Sequence, residues 1–313
     1  MEYRLFRWIN QQDLTLPTDL LVQKATDWLN NLSDQDLIEI LMTGFIPDTY
    51  DENKKEEKAF SKVMEVLVAI VFERIGFTTT IMKSKSETED IRITNDSVTI
   101  VVDVKTFRLG RSQLAPNVKD FVKLHTIRKW IDNFNHNRED HQAIGGLVVY
   151  PSTHEWRKAS QVYRECSTKE TPIVMLSYEI LAALLQYKNH FQPKEMLGLW
   201  NFKSLFPKPV SNRQEYWNII LPVISELCGE ETNFIEELDL LRLYYEEIIQ
   251  EAVEHLVDSM SSVSKLIPKQ VERMSKEALE KAVIHLLMAN QVNPLQKSLQ
   301  NIEKFRISNE QAS

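Results

Sequence analysis

The chain has 313 residues, 43% of them apolar and 26% charged, with a formal net charge of −8. That length buries a large core in one elaborated domain or two, and 7 Gly with 11 Pro exclude a fibrous or low-complexity chain. Cys166 and Cys228 lack disulfide or metal-ligand spacing, Met1–Asp13 lacks a signal-peptide stretch, and the longest apolar run, Val66 to Phe72, is too short for a bilayer; the expectation is a cytoplasmic protein without a membrane anchor.

Taken in chain order, a first helix is expected near Pro17, a residue suited to a helix start. Ser33-Asp34-Gln35-Asp36 then reads as an N-cap with an acid at the third helical position. From Lys54 to Ile75 apolar residues recur at three- and four-residue spacing (Phe60, Val63, Met64, Leu67, Val68, Val71), and Gly76 ends that helix. Three strand-like segments follow, Phe77–Met82, Asp90–Thr94 and Val98–Thr106. Asn95-Asp96-Ser97 makes a hairpin of the last two. After a loop over Arg108–Pro116, residues 117–138 read as a helix. A strand at Ile144–Tyr150, a helix at Thr153–Cys166, a strand at Ile173–Leu176 and a helix capped by Ser177 through Tyr187 complete this part. From Arg213 onward the pattern is helical: Gln214–Leu227, Asn233–Met260, Pro268–Ala289 and a short tail. Phe206-Pro207-Lys208-Pro209 marks a loop between the two parts.

This order implies an α/β fold with a mixed (α+β-type) sheet and helices on both faces. Three regions are expected: an N-terminal helical extension over 1–53, a core over 54–203, and a helical region over 204–313 serving dimerisation and support of the core.

Residues 100–111, IVVDVKTFRLGR, carry the most informative chemistry. Strand side chains alternate, so Asp103 and Lys105 share one face while Val102 and Val104 take the other. Asp90 opens the preceding strand. An acid followed by Asp-x-Lys on the next strand resembles the active-site pattern of Mg²⁺-dependent PD-(D/E)XK nucleases. The plainer reading of Asp-x-Lys is an exposed ion pair at a strand end. Charge is unevenly spread: residues 225–260 hold eleven acids and one base, Arg242, leaving the rest slightly positive. Between Asp103 and Lys129 there are seven Lys or Arg and two acids, a stripe able to neutralise phosphates or simply to solvate a helix.

The likeness extends beyond this motif. The stretches Ala59–Ala69, DVKTFRLGR at Asp103–Arg111, NVKDFVK at Asn117–Lys123, LSYEILAALLQ at Leu176–Gln186, LWNF at Leu199–Phe202 and NFIEELDLLRLYYEE at Asn233–Glu247 together resemble the HindIII restriction endonuclease family. The resemblance implies a PD-(D/E)XK restriction-endonuclease-like core with an added helical C-terminal region. It further implies a type II enzyme that acts as a homodimer, cuts double-stranded DNA at a short palindrome, requires Mg²⁺ and leaves 5′-phosphate and 3′-hydroxyl ends. Neither a membrane nor a nucleotide cofactor is expected; the chain has no phosphate-cradling glycine loop. A structure-specific repair or recombination nuclease and a non-catalytic DNA-binding module are the competing readings.

By the same resemblance Asp103 and Lys105 are the catalytic pair and Asp90 the upstream acid. Asp90 and Asp103, with the backbone carbonyl of Val104, would hold Mg²⁺. Glu87 and Glu89 compete with Asp90. Glu65 is read as an exposed helix charge, with a metal-facing role as the alternative. Asn117 is either a base-reading residue or a helix cap, and Asp120 either a site residue or a first-turn acid. Arg108, Arg111, Lys119 and Lys123 are candidates for DNA-backbone contacts.

Overall fold

The computed structural model describes residues 4–46, 50, 54–82, 88–108, 124–137, 141–153, 161–168, 171–229, 234–271 and 277–310. The N-terminal helices are α1 (Arg4–Asn10), α2 (Thr18–Asn30) and α3 (Asp34–Met42). Pro17 sits just before α2. Ser33 caps α3 in a full capping box: its hydroxyl accepts from the Asp36 backbone, and the Asp36 carboxylate accepts from the Ser33 backbone. The long α4 (Lys55–Ile75) ends at Gly76, whose φ of 110° lies in the left-handed region that favours glycine.

Among the described residues the sheet has five strands in the order β1-β2-β3-β4-β5, formed by β1 (Thr78–Ile81), β2 (Ile91–Asn95), β3 (Val98–Val104), β4 (Gln142–Tyr150) and β5 (Ile173–Ser177). The first three strands run antiparallel, and β3, β4 and β5 run parallel. The sheet is therefore mixed, as the order of elements implies. The hairpin between β2 and β3 turns through Asp96 at φ 52°, a conformation that aspartate tolerates. Between β3 and β4 lies α5 (Leu124–Asn137), and between β4 and β5 lies α6 (Gln161–Glu165). The remainder is helical: α7 (Tyr178–Gln186), α8 (Pro193–Met196), a 3₁₀ turn (Leu197–Trp200), α9 (Phe202–Leu205), α10 (Arg213–Cys228), α11 (Phe234–Val271) and α12 (Glu277–Glu310).

Both faces of β4 are covered. Gly145 and Gly146 point to opposite faces, and a Cβ on Gly145 would meet Trp200 at 2.4 Å, while one on Gly146 would meet Ile127 of α5 at 2.5 Å. Glycine is needed at both positions because the covering side chains touch the strand itself, and Trp200 donates its indole N–H to the Gly146 carbonyl at 2.8 Å. The central β3 is buried along nearly its whole length. At β5 the Met175 N–H donates to the Tyr216 hydroxyl at 2.9 Å, so α10 satisfies part of that strand's outer edge.

One continuous apolar core draws on Leu5 and Leu29 from the N-terminal helices, Phe60 to Phe72 on α4, the sheet, α7, and Phe234 and Leu238 at the start of α11. The helices beyond residue 229 depart from the expected boundaries. Instead of breaking at Met260 and restarting at Pro268, α11 runs through both to Val271, and α12 takes in the expected tail as far as Glu310. The two helices pack on each other, and that contact outweighs the local weakness of the Ser- and Pro-containing stretch.

Candidate active site

The strand that carries Asp103 is β3, and its C-terminal end is held on both sides. On one side the Lys105 N–H donates to the Val149 carbonyl at 2.7 Å, extending the parallel ladder with β4. On the other, the Asp90 N–H donates to the Val102 carbonyl at 3.1 Å, and the Asp90 carboxylate accepts from the Val104 N–H at 2.8 Å. Asp90 is thus fixed by backbone bonds at the start of β2 and faces the end of β3. A third anchor comes from α7, where the Tyr178 hydroxyl donates to the Lys105 carbonyl at 2.8 Å. A fourth is the 2.7 Å contact between the hydroxyls of Ser61 on α4 and Thr106.

Asp103 and Lys105 share a face as expected, and the Lys105 amine donates to the Asp103 carboxylate at 2.6 Å. The pair is not at an exposed strand end, because Asp103 is only 4% exposed. Glu65, on α4, is also buried and pairs with Lys62 one turn earlier, so it is no solvated helix charge.

Glu65, Asp90 and Asp103 influence one another electrostatically. Burial pushes the Asp90 carboxyl well above the ordinary aspartate range, and repulsion from Glu65 and Asp103 pushes it further, against the Val104 N–H and Lys105. Burial likewise raises Glu65, partly opposed by Lys62, while Asp103 adds repulsion. Negative charge is therefore gathered in a low-dielectric place with too little positive charge to settle it. Such a site gains from a cation, and its all-oxygen donors suit a hard one. Among the described residues, no three His, Cys, Asp or Glu side chains close up into a ready-made cage. Mg²⁺ does not need one, since it keeps several waters and is held by one or two carboxylates plus substrate phosphate oxygens.

The competing acid Glu89 is buried and paired with Arg92; Glu87 lies outside the described residues. Arg108 is buried, and its guanidinium donates to the Tyr50 carbonyl at 2.6 Å and to Glu57 at 3.0 Å. It clamps α4 to the chain leaving β3. Arg111, Asn117, Lys119, Asp120 and Lys123 all lie outside the described residues. Lys62 and Tyr178 were not among the expected site residues. Lys62 carried a signal, its position one turn before a glutamate on the same helix face, whereas Tyr178 acts across 73 residues and carried none.

A cleft of about 540 Å³ opens onto this place, lined by Glu65 and Asp90 together with Lys55, Lys58, Lys62 and residues near the start of α2. No helix among the described residues is long and apolar enough to cross a membrane.

Residues 12–302 match the model of the HindIII restriction endonuclease family. The type II restriction enzyme HindIII of Haemophilus influenzae is 24% identical over 289 residues, covering 82% of this chain and 89% of that enzyme. Among solved structures, the small subunit of the heterodimeric restriction endonuclease R.BspD6I is 14% identical. It covers 62% of this chain and 99% of its own, with a TM-score of 0.40 that is too low to bear on the fold. The family match takes in the N-terminal helices from α2 onward, the sheet with its buried acids, and the long C-terminal helices, and on that breadth the chain belongs to the HindIII restriction endonuclease family.

Proposed function

We propose that this type II restriction endonuclease hydrolyses DNA at a PD-(D/E)XK centre made of Asp90, Asp103 and Lys105, with Mg²⁺ as its metal. The observation that carries the reading is the meeting of these three groups around the buried Asp103 at the end of β3, with Asp90 pushed toward neutrality by desolvation and by repulsion from Glu65 and Asp103. When bound, the cation neutralises phosphate charge and lowers the pKa of the attacking water. Asp90 and Asp103 hold it through carboxylate oxygens. The N–H and C=O of a strand residue point to the same side, so the Val104 carbonyl faces the edge where the Val104 N–H meets Asp90 and would be available as a backbone ligand. Glu65 supplies a further acceptor at the rim of this group.

Lys105 orients the water and stabilises charge. Its amine reaches Asp103 in the DNA-free state, and with DNA bound it would orient the incoming water and stabilise the charge that builds on the phosphate oxygens. Water forms the new P–O bond while the bond to the 3′ oxygen breaks. The attacking water gives up a proton to solvent and the leaving 3′ oxygen takes one up from a solvent water, leaving 5′-phosphate and 3′-hydroxyl ends. Tyr178 and Val149 keep the Lys105 backbone from drifting during this step.

The enzyme acts as a homodimer on a short palindrome, one centre per strand. Exposed Leu240, Leu243 and Tyr244 on α11 and Leu286 on α12 support a role for the helical region beyond residue 203 in joining two copies. Asn117 and Asp120 contribute to base reading and the site, and Arg111, Lys119 and Lys123 to backbone contacts. The protein works in the cytoplasm, where its two free, buried thiols stay reduced.

The test is to incubate the protein with Mg²⁺ and DNA of known sequence and to map the ends. Discrete, reproducible fragments with 5′-phosphates support the reading. Cutting confined to junctions or flaps would make it a structure-specific nuclease, and no cutting with any divalent metal would leave a DNA-binding module.

A further inference from the structure

Lys55, Lys58, Lys62 and Glu65 on α4 are spaced three, four and three residues apart, so they form one stripe along the helix. The stripe descends from solvent into the site: Lys55 and Lys58 are exposed, Lys62 is largely covered, and Glu65 is buried. All four line the same cleft, which has Asp90 in its wall. The other acids lining it are already engaged. Glu57 takes Arg108 at 3.0 Å, Glu89 takes Arg92, and Asp13 accepts from both the backbone and the hydroxyl of Thr15. Lys62 is held by Glu65. Among the described residues Lys55 and Lys58 make no close ion pair, and Lys55 has only the long-range attraction of the exposed Asp13.

Two exposed ammonium groups, neither in a close ion pair, therefore stand at the mouth of a cleft whose wall includes Glu65 and Asp90 of the proposed centre. From Lys55 to Glu65 the stripe rises about 15 Å at 1.5 Å per residue. At 3.4 Å of axis per nucleotide on one strand, that reaches the phosphates within about four nucleotides of the one being cut. The cleft has the volume of a small-ligand pocket, so it takes a length of one strand's backbone while the rest of the duplex lies outside.

We propose that Lys55 and Lys58 bind backbone phosphates of the strand being cleaved and lead the scissile phosphate to Asp90 and Lys105. Neither residue reads sequence, because a phosphate contact is the same over every base. The inference rests on the DNA-cleaving function of the site and adds a positive track on α4 to it.

The experiment measures duplex binding by fluorescence anisotropy over a range of salt concentrations without divalent metal. It compares the wild type, K55Q/K58Q, and the control K203Q/K208Q, whose exposed lysines lie outside the cleft. The probes are one duplex carrying a mapped cleavage site and one of scrambled sequence. Each lost phosphate contact lowers the slope of log K against log salt by about 0.9. The expected result is a slope smaller by about 1.8 for K55Q/K58Q on both duplexes, an unchanged control, and cleavage that needs more DNA to saturate. A slope equal to that of the wild type overturns the inference while leaving the cleavage function standing. A wild-type protein that neither binds nor cuts DNA overturns both.

Discussion

Replacing Tyr178 by phenylalanine removes one oxygen and leaves the ring in its buried place. The lost bond is the 2.8 Å donation to the Lys105 carbonyl, which pins the end of β3 from the α7 side. A neutral hydrogen bond of this kind contributes about 0.5–1.5 kcal/mol net, and a carbonyl left buried without its partner raises the cost to about 1–3 kcal/mol. In a chain of this size each kcal/mol lowers the melting temperature by about 2 °C, so a drop of about 2–6 °C is expected. The catalytic effect should be larger. With the carbonyl released, the Lys105 backbone is left with its N–H bond to Val149 at 2.7 Å, beside the Ser61–Thr106 contact on the next residue. A misplacement near 1 Å at a reacting group costs about 10²-fold in rate. Single-turnover cleavage at saturating DNA and Mg²⁺ should therefore slow by about 10- to 100-fold in Tyr178→Phe, with DNA affinity little changed. A variant that shows the thermal loss yet cleaves within twofold of the wild type would refute the argument that this bond positions the lysine.

Other outcomes follow from the same charges. Asp90→Asn should abolish cleavage yet stabilise the metal-free protein near neutral pH. Asp90 is raised in the fold, so its contribution is fully present below the ordinary aspartate value and is lost as pH rises through the raised one. Denaturant melts at pH 5 and pH 8 should show a gain for the variant that is larger at pH 8, and equal or negative gains would reject the assignment. Adding Mg²⁺ should raise the melting temperature of the wild type more than that of Asp90→Asn, since only a native metal site is linked to folding. Glu65→Gln should raise the Mg²⁺ concentration needed for half-maximal cleavage without preventing DNA binding, read from a metal titration of the cleavage rate; an unchanged titration would remove Glu65 from the site. Glu179 is buried, accepts from Ser152 at 2.6 Å and Thr153 at 3.2 Å, and lies 3.8 Å from Arg242 of α11. Glu179→Ala should destabilise the protein by about 3 kcal/mol in urea unfolding, and a loss under about 1 kcal/mol would show that this cluster does not tie α11 to the core.

Local chemistry made much of this molecule legible. The capping box at Ser33, the left-handed stop at Gly76, the hairpin through Asp96 and the alternation that pairs Asp103 with Lys105 each depend on residues close together in the chain. What escaped depends on distant partners. Glu65 looked like any polar position on an amphipathic helix, and only the packing of α4 beside the strand end buries it near Asp103. Arg108 looked like a phosphate contact, yet Glu57, 51 residues earlier, claims its guanidinium. At Pro268 a local breaker did not end the helix: α11 runs on to Val271 and packs along α12.

The most direct test of the central claim is plasmid cleavage by Asp103→Asn beside the wild type, in Mg²⁺, with circular dichroism to confirm the fold and anisotropy to confirm DNA binding. The account expects a folded, DNA-binding variant whose cleavage rate falls by at least about 10³-fold, roughly 4 kcal/mol of lost transition-state stabilisation. Cleavage at the wild-type rate by that variant would place the chemistry elsewhere in the protein.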